Sequence, residues 1–260
     1  MSTERIIARK DGATGWLVFN NPERRNAVSI DMWEAIPEVL EDFGADPAIR
    51  LVVLCGAGGK AFVSGADISQ FEKDRSSADA VQRYEEIGER AQARLAEFDK
   101  PLLAMIRGYC LGGGLNIANL CDLRIAAADA RFGIPAAKMG LGYRASSMKN
   151  LMDLVGRANA LEIMITARQF SAEEALRMGL VHQVVPVAEL ESATREYCEL
   201  IAANAPLTMR AAKRIIREVA RTDYDAAACK AWVRECFESE DYIEGRRAFM
   251  EKRKPAFKGR

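Results

Sequence analysis

Histidine is nearly missing. The 260-residue chain holds one, His182, so any mechanism or metal site that needs two is excluded. No run of 18 apolar residues occurs, which rules out a membrane-spanning helix. An excess of one charge is also lacking: 37 Lys+Arg balance 37 Asp+Glu, for a formal charge of zero. That balance argues against a chain built to coat nucleic acid or an anionic membrane. Closely spaced cysteine pairs are absent. Cys55, Cys110, Cys121, Cys198, Cys229 and Cys236 form no C-x-x-C, and they read as the reduced thiols of a cytoplasmic protein. No apolar run follows Met1-Ser2-Thr3-Glu4-Arg5, so no secretory leader is expected. What remains, 49% hydrophobic and 28% charged residues, is ordinary for a globular chain with one sizeable core.

Periodicity gives the fold class. Trp16-Leu17-Val18-Phe19 reads as a strand stopped by Asn20-Asn21-Pro22. Met32, Ile36, Val39, Leu40 and Phe43 recur at helical spacing. Leu51 to Cys55 is a continuous apolar strand of the kind buried on both faces. A helix is predicted from Ala78 to Phe98, a strand over Leu102 to Ile106, then glycines 112 to 114, a small-residue helix to Leu120 and a strand over Leu123 to Ala126. The repeated order of strand, glycine turn and helix indicates an α/β class. After Val187 the pattern turns helical, with segments near 190–201, 206–221, 224–237 and 240–252. A boundary is expected near residue 195, giving a core over 1–195 and a helical region over 196–260.

Two glycine loops are candidates for chemistry. Gly56-Ala57-Gly58-Gly59-Lys60-Ala61 formally fits a dinucleotide fingerprint. The Phe62-Val63-Ser64-Gly65 that follows is no helix start, so an ordinary turn is the better reading and a nicotinamide dehydrogenase the weakest one. The second feature is a pair of segments, Ala61 to Ile68 and Gly108 to Leu115. Each puts small residues where strand gives way to helix. Small residues leave backbone N–H groups uncovered, and two N–H groups aimed at one point hold a developing oxyanion. Asp67 is placed to cap a helix begun by Ile68.

These segments, together with Asn20-Asn21-Pro22-Glu23-Arg24-Arg25-Asn26-Ala27, Cys121-Asp122-Leu123, Phe132-Gly133-Ile134-Pro135, Ala175 to Val181 and the tail Phe249 to Phe257, closely resemble the enoyl-CoA hydratase/isomerase (crotonase) family in order and spacing over nearly the whole chain. The resemblance implies a crotonase-like ββα spiral core with a C-terminal α-helical trimerisation region. It implies an acyl-CoA thioester as substrate, with no separate cofactor and no metal. It implies a homotrimer or dimer of trimers as the assembly. By motif position, the thioester oxygen would sit between the N–H groups of Ala66 and Gly113. Arg25, Ala27, Ser64, Asp67, Ile68, Leu111, Pro135, Leu141, Lys252 and Lys254 would line the acyl and CoA path.

One departure stands out. Hydratases of the family carry a glutamate two residues after the glycine triplet and another directly after Phe-Gly-x-Pro; here those positions hold Asn116 and Ala136. An asparagine hydrogen-bonds a water but cannot take its proton, and general acid–base catalysis is typically worth about 10²–10⁴-fold. The loop Lys138 to Arg144 resembles the family's methylmalonyl-CoA decarboxylase branch, in which a tyrosine at the Tyr143 position orients a departing carboxylate. Lys138 and Arg144 would favour an anionic acyl group. The chain reads as an enoyl-CoA hydratase by overall resemblance. Decarboxylase-like or isomerase activity and a non-catalytic acyl-CoA binder are the alternatives. His182 reads as a packed or strand-tip residue. Arg210, Lys213, Arg214, Arg217 and Arg221 read as a solvated helix face, with a CoA phosphate contact as the alternative.

Overall fold

The computed structural model describes residues 4–67 and 78–260. Ten strands and nine helices are found among them. In chain order they are β1 (Ile6–Asp11), β2 (Thr14–Phe19), α1 (Ile30–Ala45), β3 (Leu51–Gly56), β4 (Ala61–Val63), α2 (Ala78–Glu97), β5 (Leu102–Ile106), β6 (Tyr109–Leu111), α3 (Gly113–Leu120), β7 (Leu123–Ala127) and β8 (Arg131–Gly133). Then come α4 (Ala145–Thr166), β9 (Phe170–Ser171), α5 (Ala172–Arg177), β10 (Gln183–Val185), α6 (Leu190–Ala202), α7 (Pro206–Val219), α8 (Ala226–Phe237) and α9 (Glu240–Met250).

The strands make two sheets, one in the order β1-β2-β3-β5-β7-β10 and a smaller one in the order β4-β6-β8-β9. Only the β1–β2 and β8–β9 pairs are antiparallel. Three long strands of the first sheet each hand over to a short strand of the second: β3 to β4, β5 to β6 and β7 to β8. The chain thus winds as a spiral of ββα turns, as the family resemblance implies. The long strands are buried on both faces. Val52 and Leu54 join one apolar cluster with Phe19, Ile36, Leu40 and Phe62. Leu51, Val53 and Cys55 join another with Leu103, Ile125 and Leu190. That two-sided burial is why β3 lacks an alternating pattern. The predicted boundary near residue 195 falls inside α6, whose Leu190 and Cys198 are buried against this sheet.

The basic face of α7 is not a solvated stripe, and this corrects the sequence reading. Lys213 Nζ lies 2.6 Å from Asp122 Oδ2, Arg214 Nε lies 2.8 Å from Asp99 Oδ1, Arg217 donates to the Ala96 carbonyl, and Arg210 pairs with Glu235. Only Leu207 and Ala211 of that helix are buried apolar residues. Lys213, Arg214 and Arg217 therefore face the carboxylates of the core, Arg210 faces that of α8, and Arg221 stays exposed. No helix among the described residues is long and apolar enough to cross a membrane.

Candidate active site

The Gly56 loop forms no nucleotide turn. It passes through a short 3-10 turn, Ala57–Gly59, directly into β4. Buried Asn26 donates from Nδ2 to the carbonyls of Ala57 and Ala61 at 2.9 and 2.8 Å, and so ties the loop to the segment after β2.

The two small-residue segments do converge. After β4, Val28 N donates to Gly65 O at 2.8 Å and Asp67 N donates to Val28 O at 3.1 Å, which makes an isolated parallel bridge between Val28 and Ala66. In such a bridge the flanking residues face the partner strand, so the N–H of Ala66 points to the other side. That side holds the start of α3. A Cβ placed on Gly113 would lie 3.9 Å from Ala66 N. Glycines make the approach possible. Gly112 has φ +53°, a conformation that other residues adopt at a cost. A Cβ on Gly114 would come within 2.1 Å of Val63 O, so α3 can lie this close to β4 only without a side chain there. Neither the N–H of Ala66 nor that of Gly113 has an acceptor among the described residues. The N-terminal end of a helix adds a partial positive charge at this point.

One turn along α3, Asn116 meets Tyr143, so the structure brings together two residues far apart in sequence. Burial pushes the Tyr143 phenol up to about 12, against a smaller opposing effect of a hydrogen bond from Asn116. The phenol is therefore neutral at physiological pH and offers a proton in a hydrogen bond. The Oδ1 of Asn116 is buried without a partner. Ala136, in the second glutamate position, is buried in the 3-10 turn Pro135–Lys138. Its carbonyl accepts from Met139 N and Leu141 N at 3.0 and 3.1 Å, which shapes the loop that delivers Tyr143.

The remaining predicted residues spread around this centre. Asp67 is buried and pairs with Arg24 at 3.1 Å. Ile68, and with it the expected cap by Asp67, lies outside the described residues. Ala27 is buried, Leu111 and Pro135 are half-buried, and Leu141 is exposed. Ser64 Oγ donates to the Arg24 carbonyl at 3.3 Å. The Arg25 guanidinium lies 4.8 Å from the centre of the Tyr109 ring. Lys252 and Lys254 are exposed at the end of α9, where the tail folds back: Arg253 pairs with Glu244 at 2.6 Å, and Lys258 N and Gly259 N donate to Asp241. Arg144 departs from the expectation of an anion-binding loop. Its guanidinium is turned to α2, 3.1 Å from Glu85 O and 3.3 Å from Glu89. His182 sits exposed at the start of β10, and its Nδ1 accepts from Arg124 N at 3.2 Å.

One residue escaped the sequence reading. Asn119 is 8% exposed, and neither end of its amide has a partner among the described residues. Such a group costs about 1–3 kcal/mol when nothing meets it. The available signal was an amide one helical turn from Asn116 in an otherwise small and apolar helix.

The same chain was compared with known proteins. The family model described as enoyl-CoA hydratase/isomerase matches residues 10–260. A short-chain-enoyl-CoA hydratase of Clostridium acetobutylicum is 35% identical over 100% of both chains. A crotonyl-CoA hydratase of Syntrophomonas wolfei is 34% identical over 99% of each. The crystal structure of an enoyl-CoA hydratase/carnithine racemase from Magnetospirillum magneticum superposes with a TM-score of 0.93 at 34% identity, covering 100% of this chain and 97% of that one. Full-length similarity at this level, on a spiral whose glycine turns bring two backbone N–H groups together, means that the chain belongs to the enoyl-CoA hydratase/isomerase family.

Proposed function

We propose that the chain is an enoyl-CoA hydratase-type enzyme whose oxyanion hole is the pair of N–H groups on Ala66 and Gly113. The observation that carries this reading is that Gly113 lies close against Ala66 N and that neither N–H has an acceptor among the described residues. Water added to the β carbon of an enoyl thioester leaves an enolate, whose negative oxygen these donors stabilise. The α carbon then takes the proton that the added water releases. Asn116 orients the water, and the neutral phenol of Tyr143 supplies a hydrogen bond to the developing charge. Without a carboxylate in either position, hydration is slow. A second reading is favoured by that same loss. Decarboxylation makes an enolate by breaking a carbon–carbon bond, so Asn116 and Ala136 hinder it less. Isomerisation needs a base and suffers more. A binder without catalysis has no use for two aimed donors.

Arg25, Lys252 and Lys254 serve the CoA end in this proposal, and Ala27, Ser64, Asp67, Ile68, Leu111, Pro135 and Leu141 line the path to the acyl end. No separate cofactor is required. A cytoplasmic location is in keeping with six free cysteines. A homotrimer or dimer of trimers is supported by the apolar residues left exposed on the C-terminal helices, among them Ile216, Phe237, Ile243, Phe249 and Met250. Sedimentation at micromolar concentration should give a trimer or a multiple of it; a monomer alone would reject that assembly.

The decisive experiment incubates the protein with crotonyl-CoA, longer enoyl-CoA and malonyl-type CoA thioesters and identifies products by mass spectrometry. A gain of water supports the hydratase reading, and loss of carbon dioxide supports the second one. Tight binding with no product from any thioester would sink both.

A further inference from the structure

We infer that the acyl end of the site is built for a chain carrying a neutral hydrogen-bonding group, such as a hydroxyl, beyond the carbons that react. This inference rests on the acyl-CoA reading above and adds the class of acyl group. It starts from three polar atoms: Asn116 Oδ1, Asn119 Oδ1 and Asn119 Nδ2 are all buried without partners. Residues three apart on a helix are neighbours on its surface. Helical side chains lean towards the N-terminus, so the Asn119 amide lies over the turn that holds Asn116. The half-exposed residues of α3 are Gly113, Asn116 and Leu120, which form one stripe along the helix. Asn119 adjoins that stripe, about 60° round from Asn116.

Position along α3 then orders the functions. Gly113 stands at the first residue of the helix, where the thioester oxygen is held in this reading. Asn116 stands about 4.5 Å further along the axis and Asn119 about 9 Å. An acyl chain running from the oxyanion hole along this stripe meets the Asn116–Tyr143 pair near its reacting carbons and the Asn119 amide after them. Buried polar groups in native proteins are met by partners, and an amide with both ends unmet is an exception that needs one. An amide offers a donor and an acceptor together, which matches a hydroxyl.

A carboxylate is the poorer match, because among the described residues the one buried cation, Arg124, is already engaged. Arg144 is held by Glu85 O and Glu89. Buried Arg124, near the far end of α3, directs its donors to the carbonyls of Ala118, Cys121 and Leu180. Lys138 is exposed.

The test measures binding rather than turnover, so that it does not depend on which reaction occurs. Hexanoyl-CoA and its derivatives hydroxylated at one of the three terminal carbons are titrated by calorimetry into the wild-type protein and into Asn119→Leu. At least one hydroxylated thioester should bind wild type about tenfold more tightly than hexanoyl-CoA does. Asn119→Leu should erase that preference while binding hexanoyl-CoA at least as well. Equal or weaker binding of every hydroxylated thioester to wild type overturns the inference alone, and so does a preference that survives in the variant. Should Asn119→Leu fail to fold, the wild-type comparison still decides. Failure to bind any of these thioesters overturns the acyl-CoA reading, and this inference with it.

Discussion

The first turn of α3 and the side of the same helix differ in what they are made of. The first turn works through backbone: the N–H of Gly113, set beside that of Ala66 by a bridge to Val28 and by the close seat of Gly114 on Val63. The side works through side chains: Asn116, Asn119 and, from the loop before α4, Tyr143. A backbone site is fixed by the fold and survives as long as the glycines do. A side-chain site is rewritten by single substitutions. The comparison teaches that, in the proposed function, the thioester oxygen is held by backbone and the rest of the chemistry rests on side chains that single substitutions can change.

Four measurements would break or sharpen that contrast. The largest effect is expected at the backbone end. Proline is tolerated in the first turn of a helix but has no N–H. Gly113→Pro should therefore keep a native circular dichroism spectrum and lose at least about 10²–10³-fold in turnover. Full activity in the folded variant would remove Gly113 from the oxyanion hole. Next, hydration of crotonyl-CoA should run at least about 10²-fold slower than in a family member with both glutamates. A matching rate would mean that another group here does the work of two carboxylates.

A smaller loss is expected for Tyr143→Phe, about tenfold in turnover with CoA affinity nearly unchanged, which is the worth of one hydrogen bond. The pH profile sharpens this. Because the phenol is raised to about 12, it stays protonated where an ordinary tyrosine begins to ionise near 10. The Tyr143-dependent part of turnover should then persist through pH 10. Its loss with a midpoint near 10 would place the phenol in water. The smallest effect on turnover belongs outside the site: Lys213→Met should leave kcat unaltered and lower stability by about 1.5 kcal/mol in chemical denaturation. No change in the midpoint would show that α7 is held by something other than its ion pair with Asp122.

The sequence was legible wherever one physical signal dominated. The apolar run at Leu51 and the one at Leu102 became β3 and β5, and the glycine triplet became the start of α3 within a residue. The pairing of Ala66 with Gly113 was legible only through family resemblance, because it depends on a bridge that crosses 38 positions. Short strands were missed: β6 and β8 have three residues each and carry no period of their own. The long helix α4 was missed as well; Gly156 interrupts it at φ +74° and its apolar face is weak. The charged face of α7 misled, since a cation row looks the same whether it meets water or the carboxylates of another layer. Asn119 was passed over because burial, not identity, makes an asparagine unusual.

Asp122 joins two structures that would otherwise be strangers. Its Oδ2 accepts from Leu102 N at 2.7 Å, at the mouth of β5, and from Lys213 on α7. The helical region is thus fastened to the spiral at the strand that leads through β6 to Gly112, and at α7 the fastening includes charge. Salt screens charge over about 10 Å at 0.1 M and about 3 Å at 1 M, while apolar packing is unharmed by it. Ionic strength therefore acts as a dial on one joint of the molecule. Concentrated chloride should slacken the seat of α7 and leave the doubly covered strands folded, whereas urea should unfold both.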